Sequence, residues 1–136
     1  RDRFPNMLRA LDTNIILRAV LNDDPVQTPH ARSILSGETI LLSTVALEAF
    51  WVLSVPKRFS RTDAADILLN LILLPGMVVP DRQALQFALT RAAEGADFAD
   101  MLHLALSGGA DVFTTFDRGI AQFADGAPVP VETLQA

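Results

Sequence analysis

An α/β fold built on an open, mostly parallel sheet with helices on both faces is predicted by three features of the sequence. Short apolar and β-branched runs alternate with longer stretches of helical spacing. Most of the intervals between runs are long enough for the crossover helix that parallel neighbours require, which is normally right-handed. Two of the runs end on an acid, Asp12 and Asp117. At 136 residues, half of them apolar, the chain suits one domain with a sizeable core.

The elements follow in order. "MLRALD" (7–12) is a strand, and "TNIILRAVL" after it has helical spacing with Thr13 placed to cap. A second helix is expected from Thr28, with Pro29 in its first turn and Gly37 past its end. "TILLS" (39–43) reads as a buried strand, and "TVALEAFWVLSV" (44–55) as a largely buried helix whose only charge is Glu48. "SRTDAADILLNLILL" opens with the S-x-x-D form of a capping box and closes at Pro75-Gly76. "MVVP" is a strand, and "DRQALQFALTRAAEG" a helix capped by Asp81 and ended near Gly95. "ADFADMLHLALSGG" (96–109) is the next helix, with Asp97 as N-cap and Gly108-Gly109 past its end. "DVFTTFD" (111–117) is a β-branched and aromatic strand, and "PVPVETL" a weaker closing one.

Composition narrows the function classes. With 16 acidic and 11 basic residues, the net charge of -5 argues against holding nucleic acid through a basic surface. The absence of cysteine excludes disulfides, thiolate zinc and thiol catalysis, and suits a reducing cytoplasm. Apolar runs such as "ILLNLILLPG" are too short to span a membrane, and the start lacks a signal-peptide pattern. The expectation is a soluble, intracellular protein with no membrane partner. Residues 1–6, "RDRFPN", are polar and unpatterned and read as an extension or cloning remnant.

In open parallel sheets ligands bind at the carboxyl ends of the strands. Asp12 and Asp117 end strands there, Glu48 follows "TILLS" by about one helical turn, and Asp100 lies in the first turn of its helix. Four carboxylates converging on one rim repel one another, and a hard divalent cation, Mg²⁺ or alternatively Mn²⁺, resolves that repulsion.

The ordered motifs "LDTNIILR", "STVALEAFWVL", "DFADMLHLA" and "TTFDR" resemble the PIN domain of VapC-type toxins from bacterial toxin–antitoxin pairs, over nearly the whole chain from Met7. The resemblance implies a PIN-like nuclease domain over 7–136, with Asp12, Glu48, Asp100 and Asp117 as catalytic and metal-binding acids and Asp97 as an auxiliary one. It implies an endoribonuclease that hydrolyses RNA with metal-activated water, a cognate VapB-type antitoxin, and a homodimer. The "LDTN" element further implies that Thr13 supports the metal or its water.

Each residue also has a plainer reading. Asp12 can simply end a strand, and Asp97 can simply cap a helix. A lone carboxylate in a helix as apolar as that of Glu48 is costly if buried without a partner. On local pattern Asp117 fits a turn former before Arg118-Gly119 as well as a site residue. Thr115 shares a strand face with Asp117, and threonine is common in strands. His103, one turn beyond Asp100, is read as a helix residue, and Lys57, Arg58 and Arg61 form a small basic cluster suited to an RNA contact or to solvent. The competing functional class is a non-catalytic acidic α/β module that binds a metal or protein, as receiver-type domains do. Such modules pair their acids with a late lysine, whereas the only lysine here is Lys57.

Overall fold

The computed structural model describes residues 6–55 and 58–135. Strand β1 (Arg9–Ala10) leads into helices α1 (Thr13–Leu21) and α2 (Gln27–Leu35). Strand β2 (Thr39–Ile40) then precedes α3 (Ser43–Ser54) and α4 (Arg61–Leu71). Strand β3 (Met77–Val78) is followed by α5 (Arg82–Ala93) and α6 (Phe98–Ala105), and β4 (Phe113–Thr115) by a 3-10 turn (Ala121–Phe123) and β5 (Val131–Thr133).

Every strand pairing is parallel. Arg9 faces Thr39, and Thr39 faces Met77, so β2 lies between β1 and β3. Phe113 faces Val131 in the pair of β4 with β5. The expected single sheet is divided: β1-β2-β3 form one ladder and β4-β5 another. The ladders are shorter than the apolar runs that announced them, since Met7 and Leu8 are exposed ahead of β1. Ladders of this length carry few hydrogen bonds, so the helices supply most of the core. Ile16, Leu41, Leu53, Leu68, Leu85, Leu89, Phe98 and Leu104 are all but fully buried, each large apolar side chain contributing about 1.5–3 kcal/mol. The rings of Phe50 and Phe98, tilted by 56° with centroids 4.8 Å apart, tie α3 to α6.

Local signals set several helix ends and miss others: Asp12 rather than Thr13 caps α1, and α4 and α6 end at Leu71 and Ala105, ahead of the expected Pro75-Gly76 and Gly108-Gly109. The capping box holds: the Asp63 N–H donates to Ser60 Oγ at 2.9 Å. Helix α2 starts at Gln27, because the N–H groups of Val26 and Gln27 donate to Asp24 Oδ1. Thr28, expected at the start, instead donates its hydroxyl to the Arg18 carbonyl at 2.8 Å. Asp81 makes no capping bond, and its carboxylate accepts from the Ser43 hydroxyl at 3.1 Å. Helix α3 is less buried than its composition predicts. It buries Ala46, Ala49, Phe50 and Leu53 but leaves Trp51 67% exposed, because its main helix neighbours are α1 and α4.

The entries to β2 and β3 approach so closely that a Cβ on Gly76 would lie 2.2 Å from the Gly37 carbonyl oxygen, a backbone atom with little room to move. Gly76→Ala is expected to cost about 1–3 kcal/mol, which lowers the melting temperature by several degrees. Gly37→Ala, whose nearest contact would be 3.6 Å away, should melt near wild type. Thermal melts followed by circular dichroism test the pair, and indistinguishable curves would refute the close approach.

Candidate active site

Helix α6 places two acids by burying its other side. Phe98, Met101, Leu102 and Leu104 face the core, which leaves Asp97 and Asp100 toward solvent. Asp97 is the N-cap: its Oδ1 accepts the Asp100 N–H at 2.9 Å, an interaction worth about 1 kcal/mol. The two side chains line a cavity of about 290 Å³ together with Asp117, Arg61 and Gln122.

Asp117 reaches this cavity through a turn it helps to build. Its N–H donates to Thr115 Oγ1 at 2.9 Å, and its Oδ1 accepts the Gly119 N–H at 2.7 Å. Asp117 therefore combines the two local readings, turn former and cavity acid, while Thr115 holds the backbone that carries it. The opposite wall comes from Ile120, Gln122 and Phe123. Arg91 of α5 pins that wall by donating Nε to the Phe123 carbonyl at 2.9 Å and Nη2 to the Asp125 carbonyl, with its guanidinium 4.7 Å from the Phe87 ring centroid.

Burial, then the charges of Asp97 and Asp117, pushes the Asp100 carboxyl above its ordinary value, with His103 opposing. Asp100 is thus the acid on which the repulsion of the site falls.

Asp12 and Glu48 are not among the residues that line this cavity. Asp12 caps α1 by accepting the Thr13 N–H at 2.8 Å, and the buried Thr13 donates its hydroxyl to Glu48 Oε1 at 2.5 Å. Of the four acids expected on one rim, Asp100 and Asp117 share this cavity, while Asp12 and Glu48 are linked to each other through Thr13. Glu48 is exposed, so the desolvation cost expected for it does not arise. Lys57 lies outside the described residues.

Sequence reasoning placed Arg61 in a small basic cluster suited to an RNA contact or to solvent, and did not single out Gln122. Arg61 Nη2 stands 3.6 Å from Asp97 Oδ2. The two residues are brought together by the starts of α4 and α6, a juxtaposition that no local pattern announces.

Parallel strands followed by acids, with an open acidic cavity, define an α/β domain with a carboxylate-lined site. The chain belongs to the PIN domain family, whose model matches residues 9–126. PIN domains are generally metal-dependent nucleases, which makes a nucleic acid the substrate class and hydrolysis the reaction class. A search of curated proteins found no match. Among the described residues no helix is long and apolar enough to cross a membrane.

The donors fit the metal that the family implies. They are carboxylate oxygens, which suit a hard divalent cation. Among the described residues no three His, Cys, Asp or Glu side chains meet closely enough to hold an ion by themselves. Mg²⁺ needs no such cage, being commonly held by one or two carboxylates together with waters and substrate phosphates. Asp100 and Asp117 supply that number.

Two expectations follow. Folded Asp100 keeps its proton to higher pH than unfolded Asp100, so stability falls as pH rises from the ordinary carboxylate value through the raised one. Without metal, Asp100→Asn should therefore melt at or above wild type at neutral pH, and the difference should vanish below about pH 3.9; a variant that melts clearly lower at neutral pH would contradict the repulsion. Arg91→Ala should cost about 1–3 kcal/mol and speed amide hydrogen exchange over residues 120–127, which unchanged exchange there would disprove.

Proposed function

We propose that this protein is a Mg²⁺-dependent endoribonuclease, the VapC-type toxin of a toxin–antitoxin pair, acting as a homodimer in the cytoplasm, with Mn²⁺ able to replace Mg²⁺. The observation that carries the reading is the shared cavity of Asp97, Asp100 and Asp117 in a PIN-family chain, with the Asp100 carboxyl raised by burial and then by its acidic neighbours. The ordered motifs support the finer assignment to toxins, and residues 7–136 form the nuclease unit in this reading.

Asp100 and Asp117 hold the metal in this reading, and Thr115 and Gly119 keep Asp117 turned toward it. A divalent cation bound there supplies the positive charge that activates water and offsets the charge of the scissile phosphodiester. Asp97 contributes by fixing the first turn of α6, and with it the position of Asp100. Asp12, steadied by the start of α1, and Glu48, steered by the Thr13 hydroxyl, complete the acidic set in this reading. A cognate VapB-type antitoxin restrains the enzyme by placing a guanidinium, planar and always charged, where the metal would otherwise sit.

Water as nucleophile leaves the RNA 2′-hydroxyl unused, so products should carry 5′-phosphate and 3′-hydroxyl ends. Cleavage of a mixed-sequence RNA should require Mg²⁺ or Mn²⁺ and fall at least about a hundredfold in Asp100→Asn and Asp117→Asn, the scale typical of losing one group that stabilises charge in the transition state. Mass spectrometry of the ends and gel kinetics measure both. A 2′,3′-cyclic phosphate, or undiminished cleavage by the variants, would overturn the reading.

A further inference from the structure

A cavity that takes an RNA phosphodiester has an electrostatic problem here. Its walls carry Asp97, Asp100 and Asp117, and the whole chain carries a net charge of -5. Among the described residues lining the cavity, one side chain is cationic, Arg61. It is the first residue of α4, whose start is fixed by the bond between Ser60 Oγ and the Asp63 N–H, so the backbone of Arg61 is held while its side chain leans over the cavity.

The pairing of Arg61 is loose in a particular way. Its Nη2 stands 3.6 Å from Asp97 Oδ2, an ion pair too long for a hydrogen bond, with both side chains more than half exposed. Pairs of this exposure contribute little to stability. Asp97 caps α6 through its other oxygen, Oδ1, so moving Arg61 away leaves the cap intact. Arginine also presents a planar fork of donors that matches a phosphate, and it gains more from such a bidentate contact than from one long carboxylate contact.

Resting on the reading above, we propose that Arg61 is a substrate-binding residue that exchanges Asp97 for a non-bridging phosphate oxygen of the RNA, seating the strand beside Asp100 and Asp117. Arg61 thereby supplies positive charge for the substrate that no other described residue lining the cavity carries.

The test compares wild type with Arg61→Ala, Arg61→Lys and Arg58→Ala, in which a neighbouring exposed arginine outside the cavity lining removes the same charge. Binding of a mixed-sequence single-stranded RNA oligonucleotide is measured without divalent metal across a range of salt, and cleavage kinetics with Mg²⁺. Arg61→Ala should weaken binding about tenfold and lower the magnitude of the salt slope by about one. It should raise KM similarly with kcat within about twofold, the mark of lost uniform binding. Arg61→Lys should keep the salt slope and recover part of the affinity. Equal effects from Arg58→Ala, or an unchanged slope in Arg61→Ala, would overturn the proposal by reducing Arg61 to diffuse charge or to none. Wild type that binds RNA without cutting it would instead overturn the nuclease reading, and the binding comparison would still decide the role of Arg61.

Discussion

The docking of α6 is the constraint on which the site depends. Eight residues long, the helix drives Phe98, Met101, Leu102 and Leu104 into the core. The ring of Phe98 meets Phe50 of α3, so the start of α6 is fixed against an element distant in sequence. Once those positions are buried, helical geometry leaves Asp97 and Asp100 no direction but outward. The same turn satisfies its own backbone through the Asp97 cap, so the helix end that carries the acids is itself tied down by one of them.

Charge and packing act together around this helix. Partial burial of Asp100 itself is the largest cause of its unfavourable ionisation, and Asp97 and Asp117 add to it. Structural bonds to backbone surround that strain: Thr115 and Gly119 hold the Asp117 turn, and Arg91 holds the wall opposite. The acids are left with spare oxygen capacity because the framework around them is secured by other groups. That division is what a cation-dependent hydrolase needs, with rigid supports and unpaid charge at a single place.

The sequence made local features legible and long-range ones much less so. The Ser60 and Asp97 caps follow from side-chain chemistry within three residues, and the structure has both. Parallel pairing follows from the spacing of the apolar runs, since short connections cannot make it. The extent of the ladders does not follow, because apolar residues at strand ends, such as Met7 and Leu8, match a strand pattern whether or not a neighbour reaches them. The acids of the site were readable as acids placed after strands or at helix starts, but not their grouping. Glu48 illustrates the point: its neighbours in sequence are apolar, its neighbour in space is the Thr13 hydroxyl, and only the packing of α1 on α3 joins them. The meeting of Arg61 with Asp97 was hidden in the same way, since it depends on two helices starting side by side.

The exposed indole of α3 has an optical consequence. Trp51 is the only tryptophan and the chain has no tyrosine, so near-ultraviolet emission comes almost entirely from this one side chain. Being 67% exposed in the native fold, it already emits from a hydrated environment, and unfolding changes that environment little. A protein laid over α3 changes it greatly. Trp51 is three residues beyond Glu48 in the same helix, which makes intrinsic fluorescence a poor thermometer for this fold and a built-in reporter of whatever covers that side of it.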